Sequence, residues 1–240
     1  MSSEINPKLS IALTAFNHEQ FIAYAIESIL SQKVNFNYEI IVGEDNSTDG
    51  TKGIICQYAE KHPNIFKILE RKSNLGYTKN FDDTLKNCKG EYIAIFDGDD
   101  IMLPGKLQKE VDFLDNNRDF VMVGHDVIAF DSDSSKEFRI IRPKVKKDVY
   151  TIEDLIEYGS FFANCSKMFR KSELPAAGID FRIKFIADWY ITLCIVKTGK
   201  IGYIWEALAR YRLHASSIID RKSTRLNSSH IQKSRMPSSA

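Results

Sequence analysis

Tyr92-Ile93-Ala94-Ile95-Phe96-Asp97-Gly98-Asp99-Asp100 is the stretch on which the reading of this chain turns. Five apolar residues in an unbroken run describe a strand buried on both faces, and three carboxylates crowd its end. Like charges this close raise one another's pKa and repel unless a cation or a polar ligand neutralises them. Oxygen donors suit Mg²⁺ or Mn²⁺, and Mg²⁺ commonly bridges one or two carboxylates to a substrate's phosphates. The plainer alternative is a solvated acidic turn capping the helix after Pro104, since Asp favours turns and N-caps.

Outward from this stretch, apolar patterning predicts strands at 9–13, 38–43, 65–69 and 91–96. They alternate with helices at 19–32, 51–61 and 78–88, the first with Ile22, Ile26, Ile29 and Leu30 on one face. Such alternation implies a parallel sheet with helices on both faces, and ligands bind beyond the carboxyl ends of its strands. The polar clusters at 14–17, 44–49 and 97–100 all fall just after a strand. After Asp100 the pattern predicts a helix at 106–116 and strands at 120–130 and 136–141 around a turn at 131–134. Thr151 and Asp154 form a capping box for another helix. A strand at 161–170, a helix at 185–198 and strands at 201–205 and 208–213 complete the series. With no repeat and no Pro/Gly-rich linker, one mixed α/β domain in two halves is expected.

The 240 residues carry a formal charge of +1, which gives no electrostatic footprint for nucleic acid. Cys56, Cys88, Cys165 and Cys194 are far apart, a pattern of reduced, buried thiols rather than zinc ligands. The short polar start argues against a signal peptide, and no apolar run reaches the length of a membrane span. A cytoplasmic location is expected, and peripheral contact with the inner membrane face is compatible with it. From about residue 222 to 240 hydrophobic periodicity vanishes. This tail is expected to be disordered, resembles an adaptor-derived read-through, and stays outside the functional reading, with the native C-terminus expected to be missing.

Glu44-Asp45-Asn46-Ser47-Thr48-Asp49-Gly50 begins like a calcium-binding EF-hand loop, but its twelfth position is Cys56 and a strand precedes it. An Asx-turn explains Asp49, whereas Asp45 sits at a strand tip where a base N–H or a ribose could reach it. No Gly-x-Gly-x-x-Gly or Gly-x-x-x-x-Gly-Lys occurs, so phosphate neutralisation falls to a metal at the acidic tetrad.

Thr14-Ala15-Phe16-Asn17, Glu44 to Thr51, Asn74-Leu75-Gly76 with Asn80, and Asp97-Gly98-Asp99-Asp100 come in the order and spacing of family-two glycosyltransferases. Over residues 9–217 the chain resembles that family of inverting, nucleotide-sugar-dependent enzymes of GT-A type fold. The resemblance implies a glycosyltransferase domain over 1–221. Its Rossmann-like nucleotide-binding half would span 1–100 and its acceptor half 101–221, with 161–170 shaping the acceptor pocket. It implies donor contacts from Thr14, Phe16, Asn17, Glu19, Asp45, Asn80 and Asp97, with Phe16 against the base and Asp45 recognising it. Asp99 and His214 would hold Mn²⁺ or Mg²⁺, and Asp100 would serve as a cap. Ala187-Asp188-Trp189 resembles the family's Glu-Asp-Trp segment and implies Asp188 as catalytic base, although Ala187 replaces the usual Glu. Tyr211-Arg212-Leu213-His214 with Ser216 and Ser217 resembles the segment that closes over the diphosphate. Glu44 stands where Asp is more usual. Gln-x-x-Arg-Trp, the mark of processive synthases, is absent from the native part, so transfer of a single sugar is implied. The expected donor is a UDP-sugar, and the acceptor a glycan, a lipid-linked group or a protein. The rival readings are a catalytically silent nucleotide-sugar-binding module and a metal-dependent phosphatase.

Overall fold

A computed structural model describes residues 6–132, 135–183, 186–197 and 199–214. Ser216, Ser217, the 222–240 tail and Phe185 lie outside the described residues.

The first half follows the sequence pattern. Strands β1 (Leu9–Ala15), β2 (Tyr38–Glu44), β3 (Phe66–Ile68) and β4 (Tyr92–Asp97) are connected by helices α1 (Ile22–Leu30), α2 (Thr51–Lys61) and α3 (Tyr77–Asn87). They pair in parallel in the order β3-β2-β1-β4. The second half adds β5 (Ile101–Met102), α4 (Lys106–Asn116), β6 (Phe120–Asp131) and β7 (Glu137–Ile141). It continues with α5 (Ile152–Tyr158), β8 (Met168–Arg170), α6 (Ala187–Val196) and β9 (Lys200–Leu213). The sheet runs on as β4-β8-β6-β9-β5, with β7 on the side of β6. β8 is antiparallel to β4 and β6, while β6 and β9 are parallel, so the sheet is mixed.

Side-chain alternation explains the layers. Leu9, Ile11 and Leu13 of β1, with Ile40 and Val42 of β2 and Phe96 of β4, face α1, α2 and α4. Ala12, Ile41, Ile93 and Ile95 face the other way, against Phe81 and Leu85 of α3 and Ile191 and Ile195 of α6. A period of two with both faces covered is what a central strand of an α/β sheet requires. The capping box predicted from Thr151 and Asp154 is formed at the start of α5.

Three elements differ from expectation, the first being β5, a two-residue strand that the sequence pattern does not predict and that pairs antiparallel with β9. Only 168–170 of the predicted strand 161–170 pairs. Asn164–Ser166 forms a 3₁₀ turn instead, with the Lys167 N–H donating to the Asn164 carbonyl at 3.1 Å. The two strands predicted at 201–205 and 208–213 are one strand, β9. The interruption is absorbed as a bulge where Glu206 turns to solvent and takes Lys109 Nζ at 2.5 and 2.6 Å.

Beneath the sheet Lys106 Nζ donates to Glu110 Oε2 at 2.5 Å, both side chains fully buried, and His125 Nε2 lies 3.7 Å from Glu110 Oε1. Burial pushes the Glu110 carboxyl up to about 7, against the pull of Lys106. The folded state then holds a proton that the unfolded chain releases near pH 4.5. Stability from this group is full below that pH and is lost as pH rises to about 7, amounting to roughly 3 kcal/mol at ~1.4 kcal/mol per unit. Glu110→Gln is expected to flatten urea-unfolding stability over that window; an unchanged slope would refute the assignment.

Candidate active site

Thr14, Gly43 and Asp97 lie in register across β1, β2 and β4, at the carboxyl ends of the parallel strands. The Thr14 hydroxyl donates to Asp97 Oδ1 at 2.5 Å, and the Gly98 N–H donates to the Thr14 carbonyl at 2.8 Å. Asn164 Nδ2 reaches the other Asp97 oxygen at 3.4 Å. Burial and then the charge of Asp99 push the Asp97 carboxyl up to about 6, while Thr14 and Asn164 hold it back. A carboxyl so placed becomes fully charged once a cation arrives beside it.

The three carboxylates separate in role. Asp99 Oδ2 meets His214 Nε2 at 2.9 Å and lies 3.9 Å from His18 Nε2. Burial alone would raise the Asp99 carboxyl, but these two imidazoles hold it below its ordinary value. Asp100 is fully buried, and its Oδ1 accepts the Arg212 backbone N–H at 3.0 Å. Burial, then Asp99 and Asp97, push its carboxyl well up. The expected cap is corrected: α4 begins at Gly105 with no side-chain cap, because Asp100 points inward to fasten the end of β9. The acidic stretch is therefore no solvated turn. Arg212 Nε also donates to the Asp99 carbonyl at 2.8 Å, its guanidinium packed over Phe21 and Phe130. Burial and the three carboxylates raise the neighbouring Tyr211 phenol.

The far end of the site is built on β2. Asp45 Oδ1 accepts the Leu75 N–H at 2.7 Å and Oδ2 the Gly76 N–H at 2.9 Å, and Asn74 Nδ2 donates to the Asp45 carbonyl. Burial raises the Asp45 carboxyl against these amides and Arg71. Asn80 is buried, donates to the Gly43 carbonyl at 2.7 Å and accepts from Arg71 at 3.2 Å. Only a glycine fits at 43: a Cβ there would meet Thr84 Oγ1 at 2.0 Å and Asn80 Oδ1 at 2.8 Å. Phe16, as plausible in the core as against a base from sequence alone, is 43% exposed just past β1.

Asn17 and Glu19 stitch two loops together. Asn17 Oδ1 accepts the Thr48 N–H at 2.9 Å, Glu19 Oε2 accepts the Gly50 N–H at 3.0 Å, and the Glu19 N–H returns to Asp49 Oδ2. Asp49 also accepts the Thr51 N–H, as the Asx-turn reading expects.

Asp188 stands in the first turn of α6, half-buried. Lys167 and Asn164 link its backbone carbonyl to the Asp97 carboxylate, which places the start of α6 beside the tetrad. The Asp188 carbonyl accepts the Thr192 hydroxyl at 2.6 Å and Lys167 Nζ at 3.5 Å. Lys167 is fully buried and donates to Asn164 Oδ1 at 3.1 Å, while Asn164 Nδ2 donates to the Tyr77 hydroxyl at 2.9 Å. Burial holds the Lys167 ammonium below its ordinary value, and Asp188 and Asp97 offset only part of that.

Sequence reasoning missed Lys167, Asn164, His18 and Arg71. Lys167 had a signal, since a lysine inside an apolar strand needs a counter-charge. His18 had none, because its partner Asp99 is distant in sequence, and nothing in the residues around Asn164 or Arg71 marked them out.

The donor set at Asp99 and His214 suits a divalent cation. A carboxylate fits Mg²⁺ or Mn²⁺, and imidazole tips the preference toward the transition metal. The buried His18 Nδ1, without a hydrogen-bond partner, leaves that ring able to turn toward the cation. Among the described residues no three His, Cys, Asp or Glu side chains are spaced to hold an ion by themselves. A cation here would complete its coordination with water or with oxygens of a bound phosphate.

Residues 10–172 match the sequence profile described as Glycosyl transferase family 2, and the chain belongs to that family. It is 30% identical over 215 residues to the uncharacterized protein Rv1520 of Mycobacterium tuberculosis, covering 88% of this chain and 60% of that protein. The fold is similar to that of S. aureus TarS 1–349 in complex with UDP-GlcNAc, with a TM-score of 0.67 and 20% identity. That match covers 89% of this chain and 60% of TarS 1–349. It is also similar to the mannosyltransferase PcManGT from Pyrobaculum calidifontis in complex with GDP-Man and Mn²⁺. There the TM-score is 0.66 and the identity 16%, over 98% of this chain and 67% of that one. The chain thus spans about three-fifths of the curated relatives it matches first. No helix among the described residues is long and apolar enough to cross a membrane.

Proposed function

We propose that this chain transfers a single sugar from a nucleotide-sugar donor, a UDP-sugar, to an acceptor hydroxyl with inversion. The observation that carries the reading is Asp97, Asp99 and His214 together at the strand ends, linked through Asn164 and Lys167 to the turn of α6 that bears Asp188. Residues 1–100 form the donor half and 101–221 the acceptor half, where a glycan, a lipid-linked group or a protein presents its hydroxyl. Family membership supports the transfer, and the two solved neighbours, which hold different nucleotide sugars, support the donor class.

Asp45 and Phe16 hold the base. Because both Asp45 oxygens already accept amides, the base engages their remaining lone pairs. Thr14, Asn17, Glu19 and Asn80 fix the loops around the donor, and Asp97 takes the ribose. Asp99 and His214 would hold Mn²⁺ or Mg²⁺, which when bound stabilises charge on the leaving diphosphate. Asp188 takes the acceptor hydroxyl's proton as that oxygen attacks the anomeric carbon from the face opposite the diphosphate. One displacement inverts the centre.

Asp99→Asn is expected to weaken Mn²⁺-dependent UDP-sugar binding by at least about tenfold, or ~1.4 kcal/mol, in calorimetry with and without Mn²⁺. Binding as tight as wild type, with the same response to Mn²⁺, would refute the metal assignment.

A further inference from the structure

We propose that β7 and the segment behind it, residues 138–147, dock this protein on an anionic lipid bilayer. The stretch reads Phe138-Arg139-Ile140-Ile141-Arg142-Pro143-Lys144-Val145-Lys146-Lys147, five cations between Glu137, the first residue of β7, which pairs with Arg210, and Asp148. Among the described residues β7 pairs only with β6, and four consecutive residues of it are exposed. Phe138 and Ile140, two residues apart on one face of the pleat, are 53% and 48% exposed, and Val145 is 46% exposed. A strand edge in water is ordinarily kept polar.

Two of the cations are engaged: Arg142 with Asp126, and Lys147 with Asp154. Lys146 lies 5.2 Å over the Trp205 ring. Arg139 and Lys144 have no acidic partner among the described residues. Together with Ile140, Val145 and Tyr158 they line a cleft of about 450 Å³, whose far wall on α5 carries Glu157. The positive charge thus lies on the β7 side of the cleft.

The mixture of side chains selects the occupant. A soluble polyanion would satisfy the cations and leave Phe138 and Ile140 in water. A second copy docked through the same face would set five cations against five. An anionic bilayer takes both sets at once, apolar side chains at the headgroup–acyl boundary and cations on the headgroups.

The test is co-sedimentation of the full chain with vesicles of phosphatidylglycerol and phosphatidylcholine in equal parts, against phosphatidylcholine alone. Binding is expected only to the anionic vesicles. Arg139→Glu with Lys144→Glu should lower the partition by about tenfold or more, as removal of two membrane-facing cations predicts. Phe138→Ser with Ile140→Ser should do the same without altering charge. All four positions are surface positions, and unchanged circular dichroism checks the fold. Absence of vesicle binding, or equal binding to neutral vesicles, overturns the proposal. Loss through the charge pair alone points to a polyanion site and overturns it too. So does a dimer in size-exclusion chromatography that the serine variants dissociate.

Discussion

Asp188→Asn is expected to slow sugar transfer by about two to four orders of magnitude, the range for loss of a general base, while donor affinity stays within about twofold. The amide is isosteric but cannot take the acceptor's proton. The hydrogen bonds of this turn of α6 are kept, because they come from the Asp188 carbonyl, through Thr192 and Lys167. Donor titration by calorimetry and turnover with a saturating acceptor separate the two quantities. Near-normal turnover would move the base elsewhere. A parallel loss of donor binding would mean that Asp188 belongs to the donor pocket.

The largest effect on stability is expected at Lys106. At about pH 8, where Glu110 is ionised, Lys106→Met leaves its carboxylate buried beside His125 without the ammonium, and breaking a buried pair on one side costs about 3–5 kcal/mol. The urea midpoint should fall accordingly. The double variant Lys106→Met with Glu110→Leu should recover most of the loss, since apolar side chains of similar volume replace a buried ion pair at little cost. If the double variant is no more stable than the single one, the destabilisation comes from packing rather than from the stranded carboxylate.

The N-terminal half was legible because its strands are buried on both faces and its polar clusters end them. Leu9 to Leu13 and Tyr92 to Phe96 could be little else. The second half was less legible for identifiable reasons. Asn164–Ser166 satisfies its own backbone in a 3₁₀ turn, so the apolar pattern around it overstated the strand. The Glu206 bulge reads as a break in sequence, yet the backbone continues through it.

At the site, the tetrad was legible as chemistry but not as a division of labour. Which carboxylate turns inward depends on Arg212, which meets Asp100 from 112 residues away. His18 was hidden for the same reason: its role rests on Asp99 and His214, which only the fold brings near.

Lys167 has a consequence of a different kind. Its ammonium touches Asn164 and the Asp188 carbonyl, and it shares the field of Asp97. The Asp97 carboxylate and the turn that bears Asp188 are therefore not electrically independent. A negative charge settling near Asp97 is screened by the same buried cation that steadies the turn bearing Asp188. A charge bound beside Asp97 thus alters the potential at Asp188 before any atom of the backbone has moved.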